Sequence, residues 1–266
     1  MSKITVLCSD GPHHFFLIDQ ILENFGSVEA VIEPSNLVVR KLLRERKWRQ
    51  LAWTLYHQFR RSAFGYAKYR KTFFETTTQL NIDKIRDSAK CRSLITQSVN
   101  DDEVEKFIAS STSNLFIVMG TSKISRKILD RIPQEKIINI HGGHLPDYKG
   151  NHCFFFALYN EDYDKLSTTI HRVTPNLDAG EIIQQYTVKY LPGDTSEYLY
   201  CRAEKMAILD LVRRIKNHPA LEHWPSVPQE KTGTTYRMRD RHPLVELKYH
   251  ARKLLITSRG AGRNGQ

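Results

Sequence analysis

The sequence predicts an α/β fold built on a mostly parallel sheet, and three observations carry that expectation. The chain opens as strand, helix, strand: Ile4–Cys8 is a short apolar run, a Ser9-Asp10-Gly11-Pro12 turn follows, and Val28–Ile32 is a second run. A helical connection between two such strands implies parallel pairing. Leu115–Met119 repeats the apolar pattern in mid-chain. Ile137–Ile140 then leads straight into a loop rich in His, Gly and Pro. In open α/β sheets, ligands bind beyond the carboxyl ends of the strands. The rhythm is Rossmann-like, with two additions: a basic helical insertion over 36–75 and a short C-terminal extension over 218–266.

Taken in order, Pro12 stands at an early helical position, where its fixed φ is suited. Phe16, Ile18, Ile21, Leu22 and Phe25 predict the apolar face of that helix. Glu33-Pro34 ends the second strand. In the insertion, Leu37, Leu42, Trp48, Leu51, Trp53 and Phe59 recur at mixed helical spacing, which predicts one or two amphipathic helices. Leu94–Thr96 reads as a short strand. Asn100-Asp101-Asp102 starts a helix with acids in its first turn, where the helix dipole favours them. Ser125 is placed to cap a helix over Arg126–Arg131. Asn151–Tyr159 reads as a short helix, and Ser167–Val173 and Glu181–Tyr190 as strands. Thr195 or Ser196 caps a long helix to about Asn217, with Tyr198, Leu199, Met206, Leu209 and Val212 toward the core. Residues 1–217 form the expected catalytic domain. Beyond it, Thr234–Met238 reads as a strand, Leu244–Ile256 as a basic amphipathic helix, and 258–266 as an unstructured tail.

The chain has 266 residues, 40% of them hydrophobic, which is enough for an ordinary core. Its formal net charge is +11, and the excess is local. Residues 40–71 hold eleven Lys and Arg against one acid, Glu45. Such a segment suits a packed insertion or dimer contact, an acidic membrane surface, or nucleic acid. Nucleic acid is the least favoured of the three. The four cysteines are far apart with no Cys-x-x-Cys spacing, so neither a disulfide framework nor a zinc site is expected. His141 and His144 straddle a Gly-Gly loop, which enforces no ligand geometry, and no metal is expected there. The N-terminal apolar run spans five residues, shorter than a signal peptide needs, and a cytoplasmic location is expected.

The chemistry concentrates in two stretches, IINIHGGHLPDYKG at 137–150 and TIHRVTPNLDAGEII at 169–183. A strand end delivers Asn139 and His141 together, and Asp178 can return to the same place. An amide donor, an imidazole and a carboxylate suit acyl transfer. Each piece alone is common; their order is the specific signal.

That order, Asn-x-His, Leu-Pro, Lys-Gly, Thr-x-His and Asp-x-Gly, resembles the folate-dependent formyltransferases, over roughly residues 90–215. The resemblance is strongest to the nucleotide-sugar N-formyltransferases. It implies that Asn139, His141 and Asp178 are catalytic. It implies a co-substrate, 10-formyltetrahydrofolate, held by Met119, Gly120, Lys123, Ile124 and Ser125 and by the Thr174–Leu177 loop, with Thr174, Asn176 and Leu177 closing over the pterin. Members of the family often read Ser-Leu-Leu-Pro after the histidine; this chain reads Gly143-His144-Leu145-Pro146. The acceptor implied is a nucleotide-linked amino sugar, with Ser9, Asp10, Gly11, His144 and His152 as substrate contacts and a homodimer as the assembly. A methionyl-tRNA formyltransferase and a non-catalytic membrane-associated module are the alternatives. The basic insertion is expected to be an accessory outside the active site, and His171 to be a structural strand residue.

Overall fold

The computed structural model describes residues 3–75, 80–230 and 233–261. Strands β1 (Ile4–Cys8), β2 (Val28–Ile32), β3 (Cys91–Ile95), β4 (Leu115–Met119), β5 (Ile137–His141), β7 (Ser167–Arg172) and β8 (Ile182–Thr187) form one sheet in the order β3-β2-β1-β4-β5-β7-β8. The first five pair in parallel; β5–β7 and β7–β8 are antiparallel. The sheet is thus mostly parallel, as expected. A second ribbon pairs β6 (Tyr148–Gly150) with β9 (Thr234–Tyr236) of the extension. Between β5 and β6, Leu145-Pro146 is a cis peptide.

The central strands β1 and β4 are buried along their whole length because both faces of the sheet are covered there. In β4, Leu115, Ile117 and Met119 join one apolar cluster, while Phe116 and Val118 join the other. Alternate side chains of a strand point to opposite faces, so a five-residue run feeds both layers. On one face pack helices α1 (Pro12–Phe25) and α9 (Ser196–Asn217); on the other lie α6 (Asp102–Ala109) and α7 (Arg126–Leu129). Leu17, Ile18 and Ile21 of α1 are completely buried, each contributing about 1.5–3 kcal/mol of hydrophobic stabilisation. A third cluster gathers α8 (Cys153–Tyr159), β6 and part of α9.

Several local readings change. The insertion contains three helices, α2 (Ser35–Arg44), α3 (Trp48–Ala63) and α4 (Tyr66–Phe73), not one or two. Left-handed residues break it, Arg46 at φ 53° and Gly65 at φ 69°. A short α5 (Ile82–Asp87) precedes β3. Thr195 caps α9 by accepting from the Tyr198 amide at 3.3 Å, as the sequence suggested. Its inward face, however, is Leu199, Ala203, Ala207, Leu211 and Ile215, a run at helical period; Met206 and Leu209 fall on the outer side and are exposed. Ser125 precedes α7 without a side-chain cap; its amide donates to Asn100 Oδ1 at 2.7 Å. The last helix, α10 (Pro243–Ala261), runs past the expected start of the tail at 258, and 262–266 lie outside the described residues.

Candidate active site

β4 and β5 are adjacent and parallel, so Met119-Gly120 and His141-Gly142 leave the sheet at the same edge. A cavity of about 640 Å³ opens there, within the size range of small-ligand sites. Asn139, His141, His171 and Asp178 all line it.

Asp178 returns to β5 because its loop folds back sharply. The residue lies in the left-handed region at φ 48°, which aspartate tolerates better than most residues. Two residues on, a Cβ at Gly180 would stand 1.8 Å from the carbonyl oxygen of Arg172, so only glycine permits the turn. The extension secures the loop: Gln229 Nε2 donates to the carbonyls of Asp178 at 3.1 Å and Gly180 at 2.7 Å. Asp178 Oδ2 accepts the Gly150 amide at 2.8 Å and lies 3.6 Å from His141 Nδ1. His141 Nε2 donates to the Tyr148 carbonyl at 2.9 Å, which fixes the proton there and leaves Nδ1 toward the carboxylate.

His171 belongs to the same network. Its Nδ1 donates to the Arg172 carbonyl at 2.7 Å, so its Nε2 accepts from the Asn139 amide at 3.0 Å. Burial, and then the neighbouring His141, pull its pKa down to about 4 against the opposing pull of Asp178. The neutral ring therefore points the NH₂ end of Asn139 and leaves that group a second N–H. Cys153 Sγ lies 3.7 Å from His141 Nε2, but burial, and then Asp178, push its thiol far up. It is a neutral neighbour and not a thiolate nucleophile.

Residues 70–215, more than half of the 266, match the family model described as formyl transferase. The chain belongs to the formyl transferase family. A methionyl-tRNA formyltransferase from Thermotoga neapolitana is 30% identical over 124 residues, 46% of this chain and 39% of that relative. The chain thus matches well under half of that relative's length. Two solved structures are similar. WlaRD, a sugar 3N-formyl transferase in the presence of dTDP and 5-N-formyl-THF, superposes with a TM-score of 0.59 at 14% identity, covering 91% of this chain and 72% of that one. The N-formyltransferase from Helicobacter canadensis, in complex with folinic acid and dTDP-3-aminofucose, gives 0.55 at 15% identity, covering 91% and 73%. At these identities the likeness is one of fold.

Within this family member, Met119 at the end of β4, Gly120, Lys123 and Ile124 after it, and Thr174, Asn176 and Leu177 before Asp178, all line the cavity; Ser125 does not. Gly120 is left-handed at φ 68°, and a Cβ there would meet His14 Nε2 at 2.5 Å. Ser9 and His152 line the cavity, whereas Asp10, Gly11 and His144 do not. Asp10 accepts from the amide and hydroxyl of Ser35, Gly11 donates to His14 Nδ1, and His144 bonds the Ser167 hydroxyl. Among the described residues, no group of three or more His, Cys, Asp or Glu is arranged to hold a metal ion.

The expectation that the insertion stays outside the site is overturned. Arg60 and Arg61 of α3 and Arg70 of α4 line the cavity, together with Arg241 of the extension and Glu197, Tyr200 and Glu204 of α9. Amphipathic spacing gave the helices but not which basic residues turn inward. Glu204 is buried, and burial raises its carboxyl to about 8.

Proposed function

We propose that this protein transfers a formyl group from 10-formyltetrahydrofolate to the primary amine of a nucleotide-linked amino sugar. The observation that carries the reading is the convergence of Asn139, His141 and Asp178 in one cavity, beside the loops of 119–124 and 174–177. The amine nitrogen attacks the formyl carbon, and charge gathers on the formyl oxygen. The free N–H of Asn139 donates to that oxygen, and His171 aims it. His141 Nδ1 accepts the proton of the attacking amine, and Asp178, 3.6 Å away, stabilises the imidazolium. The bond to the folate nitrogen then breaks, and that nitrogen takes the proton. The donor is already activated, so the reaction needs no metal. Exposed main chain at the end of β4 supplies donors and acceptors for the pterin edge.

The inward arginines favour a small phosphorylated acceptor over a tRNA, since they are gathered around a cavity and not displayed along one face. Outside the cavity, Trp48 is exposed next in sequence to the exposed Arg44, Arg46, Lys47 and Arg49, and Phe59 is exposed farther along α3, which supports contact with an acidic membrane surface. Leu244 and Leu247, exposed on α10 by 65% and 66%, support a homodimer through the extension. No helix among the described residues is long and apolar enough to cross a membrane.

The decisive experiment incubates the purified protein with 10-formyltetrahydrofolate and a panel of aminodeoxy nucleotide-sugars. Mass gain of one formyl group on one of them is the expected result. Absence of transfer to every sugar, with transfer to methionyl-tRNA, would replace the reading.

A further inference from the structure

The charges around the insertion do not balance. Arg60 bonds Glu197 and Glu246, each at 3.3 Å; Arg70 bonds Glu197; Arg241 Nε donates to Glu246 at 2.6 Å. Arg61 belongs to the same cluster electrostatically, feeling Arg70, Glu197 and Arg60. It has no carboxylate partner among the described residues. Four guanidinium groups thus face two carboxylates, both of them taken by Arg60, Arg70 and Arg241. Nearby side chains add no negative charge. Glu204 is largely protonated at neutral pH, and His13, His57 and His152 are held neutral, burial being the first cause in each. Burial, and then Arg70, also lower the pKa of Arg61, so its charge is unfavourable where it stands. Arg60 and Arg241 are nearly completely buried, and Arg60 Nε, buried, has no hydrogen-bond partner. An uncompensated double positive charge that is partly withdrawn from water is costly unless an anion completes it.

We propose that Arg60, Arg61, Arg70 and Arg241 form a phosphate-binding subsite at the acceptor end of the cavity, with Arg61 its one guanidinium not committed to a carboxylate. The ligand class is a phosphate or diphosphate ester carrying about two negative charges. Guanidinium groups suit it because their N–H pairs match phosphate oxygens. The subsite rests on the formyl-transfer reading only for the identity of its ligand, an acceptor amine bearing phosphate. It gives the insertion a place in substrate selection, built from α3, α4 and the extension.

Equilibrium titration of the full chain with inorganic pyrophosphate and, separately, inorganic phosphate tests this without any turnover. The unaltered protein is expected to bind pyrophosphate, and Arg61→Ala to weaken that binding about tenfold or more, one charge-assisted contact being lost. Arg61→Lys should recover part of it. Because Arg61 has no carboxylate to lose, Arg61→Ala should melt no lower than the parent protein, which separates binding from a structural role. Phosphate bound as well as pyrophosphate would assign the subsite to a monophosphate ester. Equal pyrophosphate affinity in Arg61→Ala, or none in the parent, overturns the subsite whether or not formyl transfer is found. Asn139→Ala should bind pyrophosphate normally, so a failure of catalysis cannot be mistaken for a failure of the subsite.

Discussion

The guanidinium of Arg60 lies 3.3 Å from the carboxylate of Glu246, joining the insertion to the C-terminal extension. Arg60 also reaches Glu197 on α9, and His57, one turn earlier on α3, donates to the Met238 carbonyl at 2.7 Å. Insertion, extension and catalytic body therefore meet beside the cavity. Breaking a buried ion pair by removing one partner leaves an uncompensated charge, at a cost of about 3–5 kcal/mol. Glu246→Gln is expected to lose stability of that order in urea unfolding, while Glu246→Asp loses less. A change below about 0.5 kcal/mol would mean that the cluster is not structural.

Acid should weaken this protein earlier than it weakens most. His14 is held at about 3 and His171 at about 4, burial being the first cause in each, and His13 and His152 lie well below the ordinary value. Their folded-state affinities for protons are depressed, so the unfolded chain binds more protons between the folded values and about 6.5. Stability is fully present above pH 6.5 and falls as pH drops toward the folded values, by about 1.4 kcal/mol per pH unit for each such group. Melting temperature measured from pH 7.5 to 5 should drop steeply below 6.5. A flat profile would show that these rings are not buried neutral.

Catalysis should separate Asp178 from His171. Asp178→Asn keeps the side-chain shape but loses the charge facing His141, and turnover is expected to fall about a hundredfold or more. His171→Ala removes only the partner that aims the Asn139 amide, and kcat should fall about tenfold with KM for the folate unchanged. Near-normal kcat in either folded variant would remove that residue from the proposed mechanism.

Gly120→Ala should damage the site by shape alone. The backbone there is left-handed, and the added Cβ would stand 2.5 Å from the His14 ring. Strain of about 1–3 kcal/mol and weaker folate binding are expected. Thermal melting and fluorescence titration with 5-formyltetrahydrofolate read the two effects; unchanged folate affinity would place the pterin elsewhere.

The outer bases of the insertion should behave unlike the inner ones. Arg44, Arg46, Lys47 and Arg49 are exposed and do not line the cavity. Neutralising all four should leave turnover of the nucleotide-sugar intact and weaken flotation with anionic liposomes. A large rise in KM would bring these side chains to the substrate.

The sequence by itself determined the mostly parallel α/β class and the motif order that names the family. The apolar runs Ile4–Cys8, Val28–Ile32 and Leu115–Met119 are strands with the expected bounds, because a strand buried on both faces reads as a continuous apolar run. Asn139 and His141 are two residues apart on one strand, so local geometry alone brings them to one edge. Only the tertiary structure decided the rest. Nothing in the spacing of α3 distinguishes Arg60, nearly completely buried, from Arg49, exposed; the difference is a pair of carboxylates brought from α9 and α10. Strand His171 read as structural because its Asn139 contact crosses from β7 to β5. Met206 and Leu209 read as core because hydrophobicity shows that a residue can be buried, and only the packing of α9 on the sheet shows which face is. Periodicity is a property of one element, whereas charge compensation in a cavity belongs to residues that are neighbours only after the chain has folded.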